Sequence, residues 1–192
     1  MRVRPLLAGE IRLSTSFTAC PTGRLGPWRG IADQIRRRDM HWAPVPVFLL
    51  EHPTEGPILV DTGYAADAGV RPSRTLGPAT GMLFEHRAYD LDVLLERAGV
   101  RAADVGTVVM TQLHSDHASG AERVAEHATF VADGREWVAG ARGGFGLRKG
   151  GYVPGAVRSI RRREMLDYRG PRARPLGPFA ATIDLLGDGS VV

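Results

Sequence analysis

A nearly all-apolar segment leads directly into a cluster of metal-ligating side chains, and this junction constrains the fold more than any other feature of the chain. Residues 105–111 read Val-Gly-Thr-Val-Val-Met-Thr, which is typical of a strand buried on both faces of a sheet. His114, Asp116 and His117 follow within the next six residues. Imidazole nitrogen and carboxylate oxygen are the ligands of catalytic zinc and iron sites. The pattern therefore predicts a metal site in the loop at the end of a buried strand.

The spacing within this loop favours two adjacent metal ions over one. In an extended loop, alternate side chains project to the same side, so His114 and Asp116 can share a direction. His117 then points elsewhere, as a ligand of a second ion would.

A second pair of strands ends in a tight turn that carries another carboxylate. Residues 45–52 are rich in apolar and β-branched side chains, residues 53–57 form a turn cluster with Pro and Gly, and residues 58–61 read Ile-Leu-Val-Asp. The sequence predicts a hairpin that ends in the turn Asp61-Thr-Gly-Tyr. Asp61 in that turn either bonds locally to the backbone or supports a neighbouring site.

One helix is predicted by its cap, its apolar spacing and its stop signal. Asp90 is a preferred N-cap residue, and apolar residues follow from Leu91 to Ala98 at the spacing of one helix face. Gly99 ends the pattern. Seven glycines in residues 140–155 predict a flexible loop. The other predicted elements are one or two strands over 2–13, strands over 128–132, 178–186 and from 191, and helices from about 31 to 38 and over 135–140.

Composition excludes several classes of protein. The single Cys20 cannot form an internal disulfide, which excludes a disulfide-rich secreted scaffold and favours the reducing cytoplasm. No stretch approaches the roughly 18 consecutive apolar residues of a transmembrane helix, and the N-terminus lacks the apolar run of a signal peptide. We expect one cytoplasmic domain over residues 1–192, without a membrane partner.

The positive charge is concentrated in one segment. Residues 135–174 contain eleven basic side chains against three acidic ones, whereas the whole chain has 25 basic and 21 acidic residues. A basic segment can attract phosphates, but this one has few aromatic residues and no known nucleic-acid motif. We interpret it as an exposed surface and expect no nucleic-acid partner.

The junction and the hairpin together resemble a known family. Residues 112–117 resemble the H-x-H-x-D-H signature of the metallo-β-lactamase superfamily, and residues 46–63 resemble the paired strands and D-T-G turn of that family. The branch that the chain most resembles is that of the quorum-quenching N-acyl-homoserine-lactone lactonases. Further segments similar to that branch are 89–100, 104–109 and 184–191. The resemblance spans residues 45–192.

The resemblance implies an α/β fold, namely an αββα sandwich of two mixed sheets with helices outside. It also implies one or two metal ions, usually zinc and in some members iron or manganese, and a metal-bound hydroxide that attacks the carbonyl of a lactone or related ester. By the family pattern, His114 binds the first metal, whereas Asp116 and His117 bind the second. Asp116 also orients the attacking water, and Asp61 holds a ligand in place.

The chain departs from the family pattern at two points. Gln112 replaces the first histidine, and a carboxamide oxygen is a weaker zinc ligand than imidazole. The family's later ligands, a histidine, a bridging aspartate and a final histidine, have no counterpart before Val192. We therefore expect the N-terminal portion of the fold, truncated at its C-terminus. An apolar sheet face would stay open unless a partner chain, for example in a homodimer, covers it.

Two other interpretations of the chain stay open. Among enzymes, a thioester hydrolase of the glyoxalase type fits the same motifs, since lactone and thioester differ in the leaving group. Outside the enzymes, a catalytically decayed homologue would keep the fold and use residues 135–174 as a binding surface. Side chains for which we expect no catalytic role are Cys20, Ser115, Ser119, His41, His52, His86 and His127.

Overall fold

The computed structural model describes residues 1–19, 26–68, 83–142, 151–152 and 154–192. The strands are β1 (Arg2–Ser14), β2 (Met40–His52), β3 (Gly56–Val60), β4 (Glu85–Ala88), β5 (Thr107–Val109), β6 (Thr129–Asp133), β7 (Arg163–Leu166), β8 (Arg174–Leu176) and β9 (Phe179–Thr182). The α-helices are α1 (Thr15–Thr18), α2 (Gly26–Ile35), α3 (Leu91–Arg97), α4 (Ser115–Ala118), α5 (Gly134–Arg142) and α6 (Pro154–Arg158). Short 3₁₀ turns cover Ala102–Asp104 and Ser119–Arg123. None of the helices in this described part of the chain is long and apolar enough to cross a membrane.

Seven strands form one mixed sheet in the order β4-β1-β2-β3-β5-β6-β7. The first four strands pair antiparallel, whereas β3, β5, β6 and β7 run parallel to one another. Strands β8 and β9 form a separate antiparallel pair. Because parallel strands end at the same edge of a sheet, the segments that follow β3 and β5 meet there.

The locally encoded elements agree with the sequence predictions. The opening segment is one continuous strand, β1, and the predicted hairpin is β2–β3, with Phe48 opposite Val60. The predicted helix is α3, and the Asp90 side chain accepts a hydrogen bond from the backbone N–H of Asp92 at 3.0 Å. That bond satisfies one of the free N–H groups at the helix start, which is why an aspartate there begins a helix.

Two predictions for the C-terminal third were wrong. Residues 191–192 form no strand, because the carbonyl of Val191 instead accepts a bond from the N–H of Leu185 across a turn. The glycine-rich stretch 140–155 is not wholly a loop, since α5 continues to Arg142 and α6 begins at Pro154. Gly140 lies inside α5, and its missing side chain leaves room for Leu113, whose Cδ1 would lie 3.1 Å from an added Cβ.

Strands β4, β7 and β8 had no predicted counterpart. Strands β4 and β7 form the two edges of the large sheet, where charged side chains interrupt their apolar pattern. Cys20 and residues 143–150 of the predicted loop lie outside the described residues.

One face of the large sheet carries the main core. Val47 and Leu49 of β2 are fully buried on this face, and Phe130 of β6 packs in the same cluster. Helix α3 adds Leu91 and Leu95 at helical spacing. Each of these fully buried side chains contributes about 1.5–3 kcal/mol through removal of its apolar surface from water.

The opposite face of β1 and β2 carries exposed apolar side chains. Val3, Leu7 and Phe48 share this face and are 53%, 44% and 38% exposed. Near the end of β2 on the same face, the ring of His52 bonds to the Ser190 hydroxyl at 3.0 Å, so residues close to the C-terminus reach this side.

Candidate metal centre

The loops after β3 and β5 are joined by their backbones. The N–H of Asp61 donates to the carbonyl of Val109 at 2.9 Å, and the N–H of Thr62 donates to the carbonyl of His117 at 2.8 Å. A short 3₁₀ turn approaches from the other side, where a Cβ on Gly120 would collide with the carbonyl oxygen of Thr62. These contacts hold the two loops at a fixed distance, so that their side chains can share one site.

Asp61 is the buried anchor of this arrangement. Its side chain is 7% exposed, and one carboxylate oxygen accepts from the N–H of Thr111 at 2.9 Å. The other oxygen lies 2.7 Å from both the Thr111 hydroxyl and Nδ1 of His117. The backbone of Asp61 adopts a left-handed conformation, with φ of 63°, which aspartate tolerates better than most residues.

His117 is oriented by the carboxylate of Asp61. Because Nδ1 donates to Asp61, Nε2 is the unprotonated nitrogen of the neutral ring, and its lone pair is available to a ligand. Nε2 lies 3.5 Å from a carboxylate oxygen of Asp116. Burial lowers the pKa of His117, but the hydrogen bond to Asp61 and the charges of Asp116 and Asp61 outweigh it, so the pKa lies above its ordinary value.

Gln112 caps the same nitrogen of His117. Its carboxamide nitrogen lies 2.9 Å from Nε2 and can donate a hydrogen bond to it. A metal ion that binds His117 at Nε2 therefore has to displace this bond. After the carboxamide turns, its oxygen can face the ion instead.

His114 lies beside this cluster but packs against another side chain. Its ring contacts the ring of Tyr152 edge to face, with centroids 4.2 Å apart. Burial lowers the pKa of His114, and the charge of Asp116 opposes this shift. In the described part of the chain, no three His, Cys, Asp or Glu side chains converge closely enough to hold a metal ion together.

The donors at the end of β5 fit part of a metal site. The structure brings Asp116 and His117 together, with Asp61 behind the imidazole, and this carboxylate–histidine pairing is usual behind a metal-binding ring. A carboxylate and a neutral imidazole are the ligand types of zinc and iron centres. Further donors have to come from Gln112 and His114, after movement of their side chains, or from other parts of the protein.

Two side chains that hold the backbone of this region in place, Glu136 and Tyr152, were not predicted from the sequence. Glu136 of α5 accepts from the N–H of Leu113 at 3.1 Å and from the Tyr152 hydroxyl at 3.0 Å. Next to Tyr152, the carbonyl of Gly151 accepts from the N–H of Ser115 at 2.7 Å. These bonds fix the backbone on both sides of His114. No local pattern marks them, because Glu136 lies 23 positions from Leu113 and Tyr152 lies still farther along the chain.

Tyr64 and His86 form a second pair of titratable rings near Asp116. Burial raises the pKa of the Tyr64 hydroxyl, and the charge of Asp116 raises it further. Burial lowers the pKa of His86 to about 4, and the charge of Asp116 acts in the opposite direction. Both rings are therefore neutral at pH 7.

Comparisons with known proteins give a family and a fold. The model of the Metallo-beta-lactamase superfamily matches residues 41–181. No curated protein matches the chain. Among solved structures, a mutant of Bacillus thuringiensis AiiA with N-decanoyl-L-homoserine bound at the active site is 20% identical, with a TM-score of 0.63. That match covers 92% of this chain and 62% of the other.

Two further solved structures are similar to the chain. An N-acyl homoserine lactone hydrolase, with the product N-hexanoyl-L-homoserine at its catalytic metal centre, is 20% identical, with a TM-score of 0.63 and coverage of 92% of this chain and 62% of that one. AidC, a dizinc quorum-quenching lactonase, is 16% identical, with a TM-score of 0.57 and coverage of 88% and 58%. At these identities the likeness shows the fold, and the chain spans about 60% of the length of these proteins.

Proposed function

This chain belongs to the metallo-β-lactamase superfamily, a family of hydrolases, and we propose on that premise that it hydrolyses a lactone or a related ester with a bound metal ion. The observation that carries the proposal is the bond of 2.7 Å between Asp61 and Nδ1 of His117. A buried carboxylate behind an imidazole has a clear use when the other ring nitrogen binds a metal.

We assign the metal to Asp116 and His117, with His114 and Gln112 as the further ligands, and zinc as the ion. When bound, the ion lowers the pKa of water and polarises a carbonyl group. Asp61 holds the tautomer of His117 in which Nε2 is free. Because a metal ion needs the unprotonated Nε2 and the pKa of His117 lies above its ordinary value, we expect metal binding to weaken at acidic pH.

We propose that Asp116 accepts a hydrogen bond from the water that attacks the carbonyl group of the substrate. Its carboxylate lies 3.5 Å from His117, and its charge acts on the pKa values of His114, His117, Tyr64 and His86. A carboxylate in this position can accept a hydrogen bond from an attacking water and orient it. Thr111 bonds to Asp61 and so supports the same arrangement from behind.

The choice of a lactone is supported by the structural neighbours. Those named above are lactone hydrolases, and their folds match this chain over most of its length. A thioester would meet the same donors and is the alternative substrate within the enzyme class. The third alternative, a decayed homologue, would retain the fold without metal-dependent turnover.

The proposal is tested by zinc content and lactone hydrolysis on the full chain. We expect zinc to bind in at least one equivalent, and a homoserine lactone to open at a rate that chelation abolishes. Asp116→Asn and His117→Ala should each reduce kcat/KM by at least 100-fold. His127→Ala is the matched control, since that side chain is 50% exposed and lies outside the cluster. A zinc-loaded protein that hydrolyses a thioester but no lactone would favour the glyoxalase-type alternative, and one that hydrolyses neither would refute the proposal.

A further inference from the structure

Within the described residues, three buried polar atoms near Asp116 lack a hydrogen-bond partner of good geometry. They are the hydroxyl of Tyr64 and both ring nitrogens of His86, and the His86 ring has only a weak interaction with the backbone of Phe84. Buried polar atoms are almost always paired, since each unpaired group costs free energy, and exceptions often mark a functional site. Neither side chain is used by the metal cluster described above.

The rings of Tyr64 and His86 contact each other beside a small apolar cluster that is separate from the main core. Their centroids lie 5.2 Å apart, edge to face, and Tyr64 is only 1% exposed. Val45 and Ala68 pack with Tyr64 in this cluster, apart from the main core. Gly9 makes room for the ring, because an added Cβ would lie 2.6 Å from Cδ2 of Tyr64. Small-molecule sites are usually lined by apolar side chains with a few polar groups that are available for hydrogen bonds.

The position of the pair links it to the reaction site. Tyr64 is the last residue of the turn that begins with Asp61, and His86 lies on edge strand β4. The charge of Asp116 acts on both rings. The backbone gives a geometric link as well, because Gly63 pairs with Ala118 of α4 and the carbonyl of Gly63 accepts from the N–H of Gly120 at 3.0 Å. A ligand group bound there would therefore lie within reach of the charge of Asp116, where a neutral group is tolerated and an anion is repelled.

We propose that Tyr64 and His86 form a recognition subsite for a secondary amide of the substrate, next to Asp116. The Tyr64 hydroxyl donates to the amide carbonyl, and the unprotonated nitrogen of the His86 ring accepts from the amide N–H. The polar atoms have no contact with solvent, so the chain opens locally when the ligand enters, as many enzymes do on binding. The inference rests on the proposed function in naming the substrate, but binding to the subsite needs no hydrolysis.

The test is binding of a neutral amide that the enzyme cannot hydrolyse. N-(2-oxocyclopentyl)hexanamide carries the amide, and 2-heptylcyclopentanone lacks it. Calorimetry on the full, metal-loaded chain should give tighter binding of the amide compound. Tyr64→Phe and His86→Phe should each weaken amide binding by about 3- to 10-fold and leave the amide-free ketone unchanged. Equal binding of the two ketones, or unchanged amide binding in both variants, would overturn the proposal.

Thermal stability gives a readout that does not depend on any ligand. Tyr64→Phe removes an unpartnered buried hydroxyl and keeps the ring, so its Tm should equal or exceed that of the natural chain by about 2–4 °C. Tyr168→Phe is the control, because that side chain is 38% exposed and should leave both Tm and binding unchanged. A clear fall in the Tm of Tyr64→Phe would show that the hydroxyl has a structural partner and would refute the subsite. Failure of lactone hydrolysis alone, with amide binding intact, would refute the proposed function and keep the subsite.

Discussion

Replacing Glu136 with alanine should destabilise the chain through the loop that carries His114. The carboxylate accepts from the N–H of Leu113 at 3.1 Å and from the Tyr152 hydroxyl at 3.0 Å. Leu113 is fully buried, so water cannot replace the lost partner of its N–H group. Hydrogen bonds to a charged acceptor contribute about 1.5–3 kcal/mol each. Because Glu136 is half-buried and Tyr152 can recover a bond to water, we expect a total loss of about 3 kcal/mol.

The assay is urea unfolding, with thermal unfolding as a second measurement. For a chain of this length, about 3 kcal/mol corresponds to a fall in Tm of about 6–12 °C. Glu136→Gln keeps an acceptor oxygen and should lose only about 1 kcal/mol, whereas Tyr152→Phe should lose less than Glu136→Ala. Glu126→Ala is the matched control, since that side chain is 87% exposed.

A double-mutant cycle distinguishes the loss of the Glu136–Tyr152 hydrogen bond from a general destabilisation of α5. Glu136→Ala and Tyr152→Phe should be coupled by about 1 kcal/mol, because the two side chains bond to each other. The reasoning is refuted if Glu136→Ala lies within about 0.5 kcal/mol of the natural chain, which is the range of an ordinary surface substitution.

Three further predictions concern the proposed metal-binding side chains and the residues around them. Asp61→Asn keeps the left-handed backbone but weakens the hydrogen bond to His117. Zinc affinity, measured by competition with a chelator, should therefore fall about 10- to 100-fold. Unchanged zinc affinity would contradict the role of Asp61. Gln112→His supplies an imidazole in place of the carboxamide, so zinc affinity should rise, and a fall would contradict the assignment of Gln112 as a ligand. Burial lowers the pKa of His86 to about 4, so between pH 6.5 and pH 4 the imidazole is protonated in the unfolded chain but not in the folded one. The free energy of unfolding should therefore decrease as the pH is lowered through this range. Urea midpoints across that range should flatten in His86→Phe, and an unchanged slope would contradict the burial of the ring.

Local signals account for the parts of the fold that were predicted from the sequence. Helix α3 has its cap, its apolar stripe and its glycine stop within ten residues, and the β2–β3 hairpin has its turn cluster between its strands. Strands β4 and β7 could not be predicted, because edge strands carry charged residues that hide the alternation. Their positions depend on the neighbouring strands that they pair with.

The residues of the candidate site also fall into those with a local signal in the sequence and those without one. His114, Asp116 and His117 stand together in the sequence, and their ligand chemistry is visible there. The family resemblance implied only that Asp61 holds some ligand in place, and the structure identifies His117, 56 positions away, as its partner. Glu136 had no signal at all, because its importance comes from the backbone N–H that it reaches rather than from its neighbours along the chain.

The parallel pairing of β3 with β5 also sets the order of events during folding. Asp61 and Thr111 are separated by 50 positions, and they meet only after these two strands have aligned. Contacts between distant segments form slowly, because the entropy of closing the intervening loop must be overcome first. The β2–β3 hairpin can form early, whereas the proposed metal-binding loops come together with the late, long-range steps. If zinc binds there as proposed, a chelator present during refolding should change the final zinc content without changing the refolding rate.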